Sequence, residues 1–202
     1  ALEEFLPAGT LERVVYYIQK YSVHLTVTKE RKRVLGNYRF KRQDGKHEIT
    51  LNATLHPYDF LLTFLHELAH LQVFAAYQNR VEPHGLEWKL AYAKLMVEFV
   101  EMNVFPQPLV KAIVAECKNP SATANPSSPL TQALQHYYAL NQNQVVLQSL
   151  PVGTYFVFDK NLYQILERKR TRYVCLQVQQ KKRYLFSALT PVEELPTAPQ
   201  AG

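Results

Sequence analysis

Phe60-Leu61-Leu62-Thr63-Phe64-Leu65-His66-Glu67-Leu68-Ala69-His70 is the stretch on which the reading of this chain turns. Pro57 suits the first position of a helix, where its missing N–H is no loss, and the helical pattern continues to about Phe74. The segment is apolar nearly all round, so the helix is expected to be buried. His66, Glu67 and His70 interrupt that surface, and burying three such groups without a ligand or a polar network is costly. Two histidines four residues apart project from one helical face at a separation that a single metal ion can bridge. The glutamate beside the first lies at the edge of that face, where it can act as general base toward a water that the metal acidifies.

A third imidazole, His84, stands 14 residues after His70 between Pro83 and Gly85. A second helix is expected from about His84, with Trp88, Ala91, Tyr92, Leu95, Met96 and Phe99 as its core stripe. A neutral histidine near the positive end of a helix is well placed to give its lone pair to a metal. Glu82 or Glu87 could supply the third ligand instead. His84 is preferred because zinc favours imidazole, which leaves Glu87 free to accept a hydrogen bond from a ligating ring. Thr63, one turn before Glu67, either bonds back to its own helix, the more ordinary role, or helps orient the site. The metzincin spacing is excluded, since Val73 and Ala76 occupy its glycine and final histidine positions.

Upstream, Thr10 precedes Leu11, Val14, Val15 and Ile18, a plausible N-cap and helical stripe. His24 to Thr28, Val34 to Lys41 and His47 to Asn52 alternate apolar with polar residues and read as three strands of a small antiparallel sheet. Pro106 and Pro108 open a short helix ending near Cys117. Asn119 to Pro129 is rich in Pro, Ser, Ala and Asn and marks a domain boundary. A helical turn around Leu130 to Leu140 then leads to short strands at Gly153 to Phe158, Leu162 to Glu167, Tyr173 to Gln179 and Tyr184 to Phe186. The expectation is an α+β protein with a domain over 1–118, a linker with a short helix over 119–150 and a small basic β-rich module over 151–202.

His66-Glu67-Leu68-Ala69-His70-Leu71 followed by Pro83-His84-Gly85-Leu86-Glu87-Trp88 resembles the SprT-like zinc metallopeptidases, the family that includes the Spartan-type proteases. The resemblance covers roughly residues 10 to 118. It implies a zincin-like fold, one zinc ion on His66, His70 and His84, and Glu67 as catalytic acid and base. Residues 151 to 195 look like the tail that follows this domain in bacterial members. Many relatives carry a cysteine-rich zinc ribbon there, whereas only Cys175 stands here, so the module is expected to rest on its aromatic and aliphatic core.

Composition narrows the partners. The chain has 202 residues, of which 47% are hydrophobic and 12% aromatic, enough for one ordinary core and a small second one. No run of about 18 uncharged apolar residues occurs, and acidic Glu3 and Glu4 stand where a secretory leader would be basic, so a cytoplasmic protein without a membrane partner is expected. Cys117 and Cys175 are too far apart for a thiolate ribbon motif. The net charge is +6, and residues 151–202 hold 8 Lys and Arg against 4 Asp and Glu. The runs Lys29 to Arg33, Arg168 to Arg172 and Lys181 to Arg183 are more often solvated turns than binding sites. Interleaving with Tyr163, Tyr173 and Tyr184 would nonetheless suit DNA contact through stacking and phosphate pairing. His24, His47, His56 and His136 lack a partner at metal spacing. Three functions stay in view: a peptidase acting on polypeptide, with DNA-associated protein as a substrate suggested by the resemblance; a non-catalytic zinc-stabilised module that binds nucleic acid or protein; and a hydrolase of small amides.

Overall fold

The computed structural model describes residues 1–29, 34–121, 128–141, 144–170 and 172–195. They form five α-helices and two sheets in two compact units, 1–123 and 124–202.

In the first unit α1 (Leu11–Lys20) is followed by β1 (Val23–Thr28), β2 (Gly36–Lys41) and β3 (Lys46–Asn52), then by α2 (Pro57–Tyr77), α3 (Leu86–Glu101) and α4 (Gln107–Lys118). The strand order is β1-β3-β2, and β3 is central because Ile49 and Leu51 are both fully buried. β2 runs antiparallel to β3, across a turn in which Gly45 takes a φ of 64°. β1, in contrast, runs parallel to β3, with Val23 opposite His47 and Thr28 opposite Asn52. The expected all-antiparallel sheet is therefore corrected to a mixed one. Period-2 alternation reports which face of a strand is buried, and it carries no information on the neighbour or its direction.

α2 packs on this sheet and on α3. Phe60, Leu61, Phe64, Leu65, Leu68, Ala69 and Leu71 are completely buried, each large side chain contributing roughly 1.5–3 kcal/mol. By length and composition alone α2 could cross a membrane, yet 56% of its most apolar window is buried inside the domain. Thr10 does not cap α1 through its side chain; its hydroxyl donates instead to the Pro7 carbonyl at 2.7 Å. α1 is tied to α3 by Glu98, which pairs with Arg13 and accepts a 2.6 Å hydrogen bond from Tyr17.

Residues 119–150, expected as a linker, are divided between the two units. α5 (Pro129–Asn141) covers the stretch around Leu130 to Leu140 where a helix is expected, and β4 (Val145–Val146) is a strand of the second sheet. That sheet continues with β5 (Tyr155–Phe158), β6 (Asn161–Arg168), β7 (Arg172–Gln177), β8 (Lys182–Ser187) and β9 (Pro191–Glu194) in the order β4-β9-β5-β6-β7-β8, antiparallel throughout. Cys175 lies fully buried among Phe156, Tyr163, Ile165, Tyr173 and Val192. The first unit carries the candidate site.

Candidate metal centre

His66 and His70 project from one face of α2, and His84 reaches the same place from the turn before α3. Gly85, the residue just before that helix, has extended backbone. The Nε2 atom of His66 stands 3.3 Å from that of His70 and 3.4 Å from that of His84. Ligand atoms of all three lie within 4.8 Å of one another, and all three rings are half-buried. Among the described residues no fourth His, Cys, Asp or Glu joins this group.

The donor set fits zinc. Two nitrogens bound to one tetrahedral zinc at about 2.0–2.1 Å stand about 3.3–3.4 Å apart. A neutral imidazole nitrogen either donates one proton or offers one lone pair, so His66 Nε2 cannot satisfy both neighbours by hydrogen bonding. A cation between converging lone pairs can. The rings are also held neutral: burial, then the neighbouring His70 and His84, pushes His66 down to about 3, and burial followed by His84 pushes His70 down to about 4. Burial lowers His84 as well. Neutral imidazole is the form that binds a metal.

Trp88 is the platform of the site. It is fully buried, its ring centroid lies 4.7 Å from those of His66 and His84 and 5.4 Å from that of His70, and its indole N–H donates to the His66 carbonyl at 3.4 Å. Tyr92 stacks beneath it at 5.1 Å. The core assignment of Trp88 and Tyr92 from the helical stripe holds, but that pattern did not show that the indole seats the three imidazoles.

Glu67 is only 7% exposed and turns toward β2. The methyl of Thr63 faces the same strand at Gly36. Glu87 turns its carboxylate back beside Gly85, and no hydrogen bond joins it to any of the three imidazoles. One turn beyond His70, Phe74 meets Tyr38, Phe40 and His47 in a half-buried aromatic cluster in which Tyr38 Oη and His47 Nδ1 are 2.9 Å apart. Gly36 is the residue of this region that the sequence reading passed over. A lone glycine inside a strand pattern, the sign of a close backbone approach, was the signal available.

Two half-buried neutral imidazoles on one buried helix and a third from the turn before the next, with a buried glutamate next to the first, define an α+β domain positioned to hold a metal ion beside a carboxylate. Residues 10–107 match the SprT-like family, and this part of the chain is a SprT-like domain. Searches of the curated proteins and of the solved structures find no match to the chain.

Proposed function

We propose that this protein is a zincin-like zinc metallopeptidase that hydrolyses peptide bonds of extended polypeptide. The observation that carries the reading is the convergence of the His66, His70 and His84 Nε2 atoms at zinc-ligand separations one residue away from the buried Glu67. A zinc ion held there would acidify a water and polarise the scissile carbonyl. Glu67 takes the proton from the attacking water and passes it to the leaving amine.

The sheet supplies a seat for the substrate. β2 is an edge strand, and the Leu35 carbonyl accepts a 3.0 Å hydrogen bond from Asn52 N–H on β3. Backbone groups alternate along a strand, so those of Gly36, Tyr38 and Phe40 point away from β3. An extended peptide pairing with that edge would run past Glu67. Half-buried rather than enclosed imidazoles suit such a substrate better than a small amide. Three protein ligands instead of four favour catalysis over a purely structural zinc module, because a ligand position stays open. The basic second unit would provide a contact to DNA, making DNA-associated protein a natural substrate class, and the protein would act in the cytoplasm.

The test is cleavage of an unfolded protein such as casein by wild type and by Glu67→Gln, both loaded with zinc. The reading expects cleavage by wild type and a loss of about 10²–10⁴-fold in Glu67→Gln with zinc retained. Equal rates for the two proteins, or no cleavage with or without DNA, would contradict it.

A further inference from the structure

We infer that Gly36 is a positioning residue for Glu67: the missing side chain lets the carboxylate lie against the backbone of the edge strand that receives the substrate. The inference rests on the peptidase reading above and adds to it the element that sets where the base stands.

Three other described glycines answer a conformational need, whereas Gly85 has extended backbone and a Cβ there would come within 3.2 Å of Glu82, away from Glu67. Gly9, Gly45 and Gly153 have φ values of 80°, 64° and 95°, and a Cβ added at any of them would meet nothing within 4 Å. Gly36 is the opposite case. Its φ lies outside the left-handed region, so the backbone does not require glycine there, whereas the space does. A Cβ at this position would fall 2.5 Å from Thr63 Cγ2 and 3.0 Å from both Glu67 Oε1 and Leu51 Cδ2. Glycine within a strand weakens it, through chain entropy and the loss of a side chain to pack. At Gly36 that cost coincides with a close approach of the carboxylate next to His66.

Two features of one residue thus meet. The Gly36 Cα faces α2 and fixes how close Glu67 approaches the strand. Its N–H and C=O, by the alternation set at Leu35 and Asn52, face the open edge where a peptide backbone would pair. Base and substrate are referred to the same point, which is how a proton acceptor is kept within reach of a water attacking a carbonyl in a paired strand. Any added side chain pushes the carboxylate away while leaving the imidazoles, held on Trp88, where they are.

The experiment compares wild type, Gly36→Ala and the double variant Gly36→Ala/Thr63→Ser, all as the full chain. Serine lacks Cγ2, so the double variant removes the tightest packing conflict and leaves the one with Glu67. Zinc content, the visible spectrum of the cobalt-substituted protein, thermal unfolding and casein cleavage are measured on each. The expected result is one equivalent of zinc and an unchanged cobalt spectrum in both variants, a lowered Tm in Gly36→Ala that recovers in the double variant, and kcat about tenfold down in both. KM stays within about threefold of wild type, since the strand backbone that pairs with the substrate is retained. Wild-type kcat in Gly36→Ala, recovery of kcat together with Tm in the double variant, or loss of zinc from both would overturn the assignment. Wild-type cleavage that Glu67→Gln abolishes and Gly36→Ala does not would keep the peptidase reading and discard the role of Gly36. No cleavage by wild type would discard both.

Discussion

The Nε2 atoms of His66 and His84 stand 3.4 Å apart although the residues lie 18 positions apart in the chain and on different elements. His66 Nε2 can form a hydrogen bond with only one of its two neighbours, His84 or His70 at 3.3 Å, so the fold brings together three ring nitrogens that a cation satisfies at once.

Trp88 should be as necessary to this arrangement as the ligands. Trp88→Ala removes the fully buried ring on which all three imidazoles rest and is expected to destabilise the domain by about 3–5 kcal/mol and to weaken zinc binding. Trp88→Phe keeps a ring and loses the long hydrogen bond to the His66 carbonyl, so zinc binding should survive. Urea unfolding and zinc titration decide the matter. Wild-type stability and affinity in Trp88→Ala would show that the ring is not the platform.

The histidines also set a pH dependence for the metal-free protein. Folded-state values for His66 and His70 are depressed to about 3 and about 4, chiefly by burial, and burial lowers His84, His47 and His56 too. In the unfolded chain these groups titrate near 6.5, so between about 4 and 6.5 the unfolded state binds more protons. Stability is then complete above the unfolded value and falls as the pH drops through that window. Chelator-treated protein followed by thermal unfolding from pH 8 to pH 4 should show Tm decreasing below about 6.5. A flat profile would mean that these rings are solvated in the folded state.

The two cysteines should differ in reactivity. Burial pushes the Cys175 thiol up to about 12 inside the second core, while Cys117 on α4 is only half-buried, its thiol raised by burial and by Glu116. Thiolate is the reactive form, so an alkylating reagent near pH 8 should label Cys117 well before Cys175 in the native protein and both in denaturant. Equal native rates would show that the second core opens readily.

Much of this was legible in the chain itself, and what was missed has physical causes. The buried helix was read from its apolar surround, and the three imidazoles from spacing, because a helix fixes the relation of residues four apart and Pro83 and Gly85 mark the entry to the next helix. Strand direction was not legible: Val23 to Thr28 alternate in the same way whether β1 runs parallel or antiparallel to β3. β4 and β9 escaped because Val145–Val146 and Pro191–Glu194 are too short to show a period. Gly36 was hidden for a different reason. Its meaning lies in what a side chain would strike on α2, and that relation exists only once strand and helix are packed.

Whether His66, His70 and His84 together hold one zinc ion is decided by elemental analysis of purified wild type and His84→Ala. Near one equivalent of zinc in wild type and its loss in a folded His84→Ala is the predicted result. Wild type without zinc, or His84→Ala retaining a full equivalent, would contradict the account.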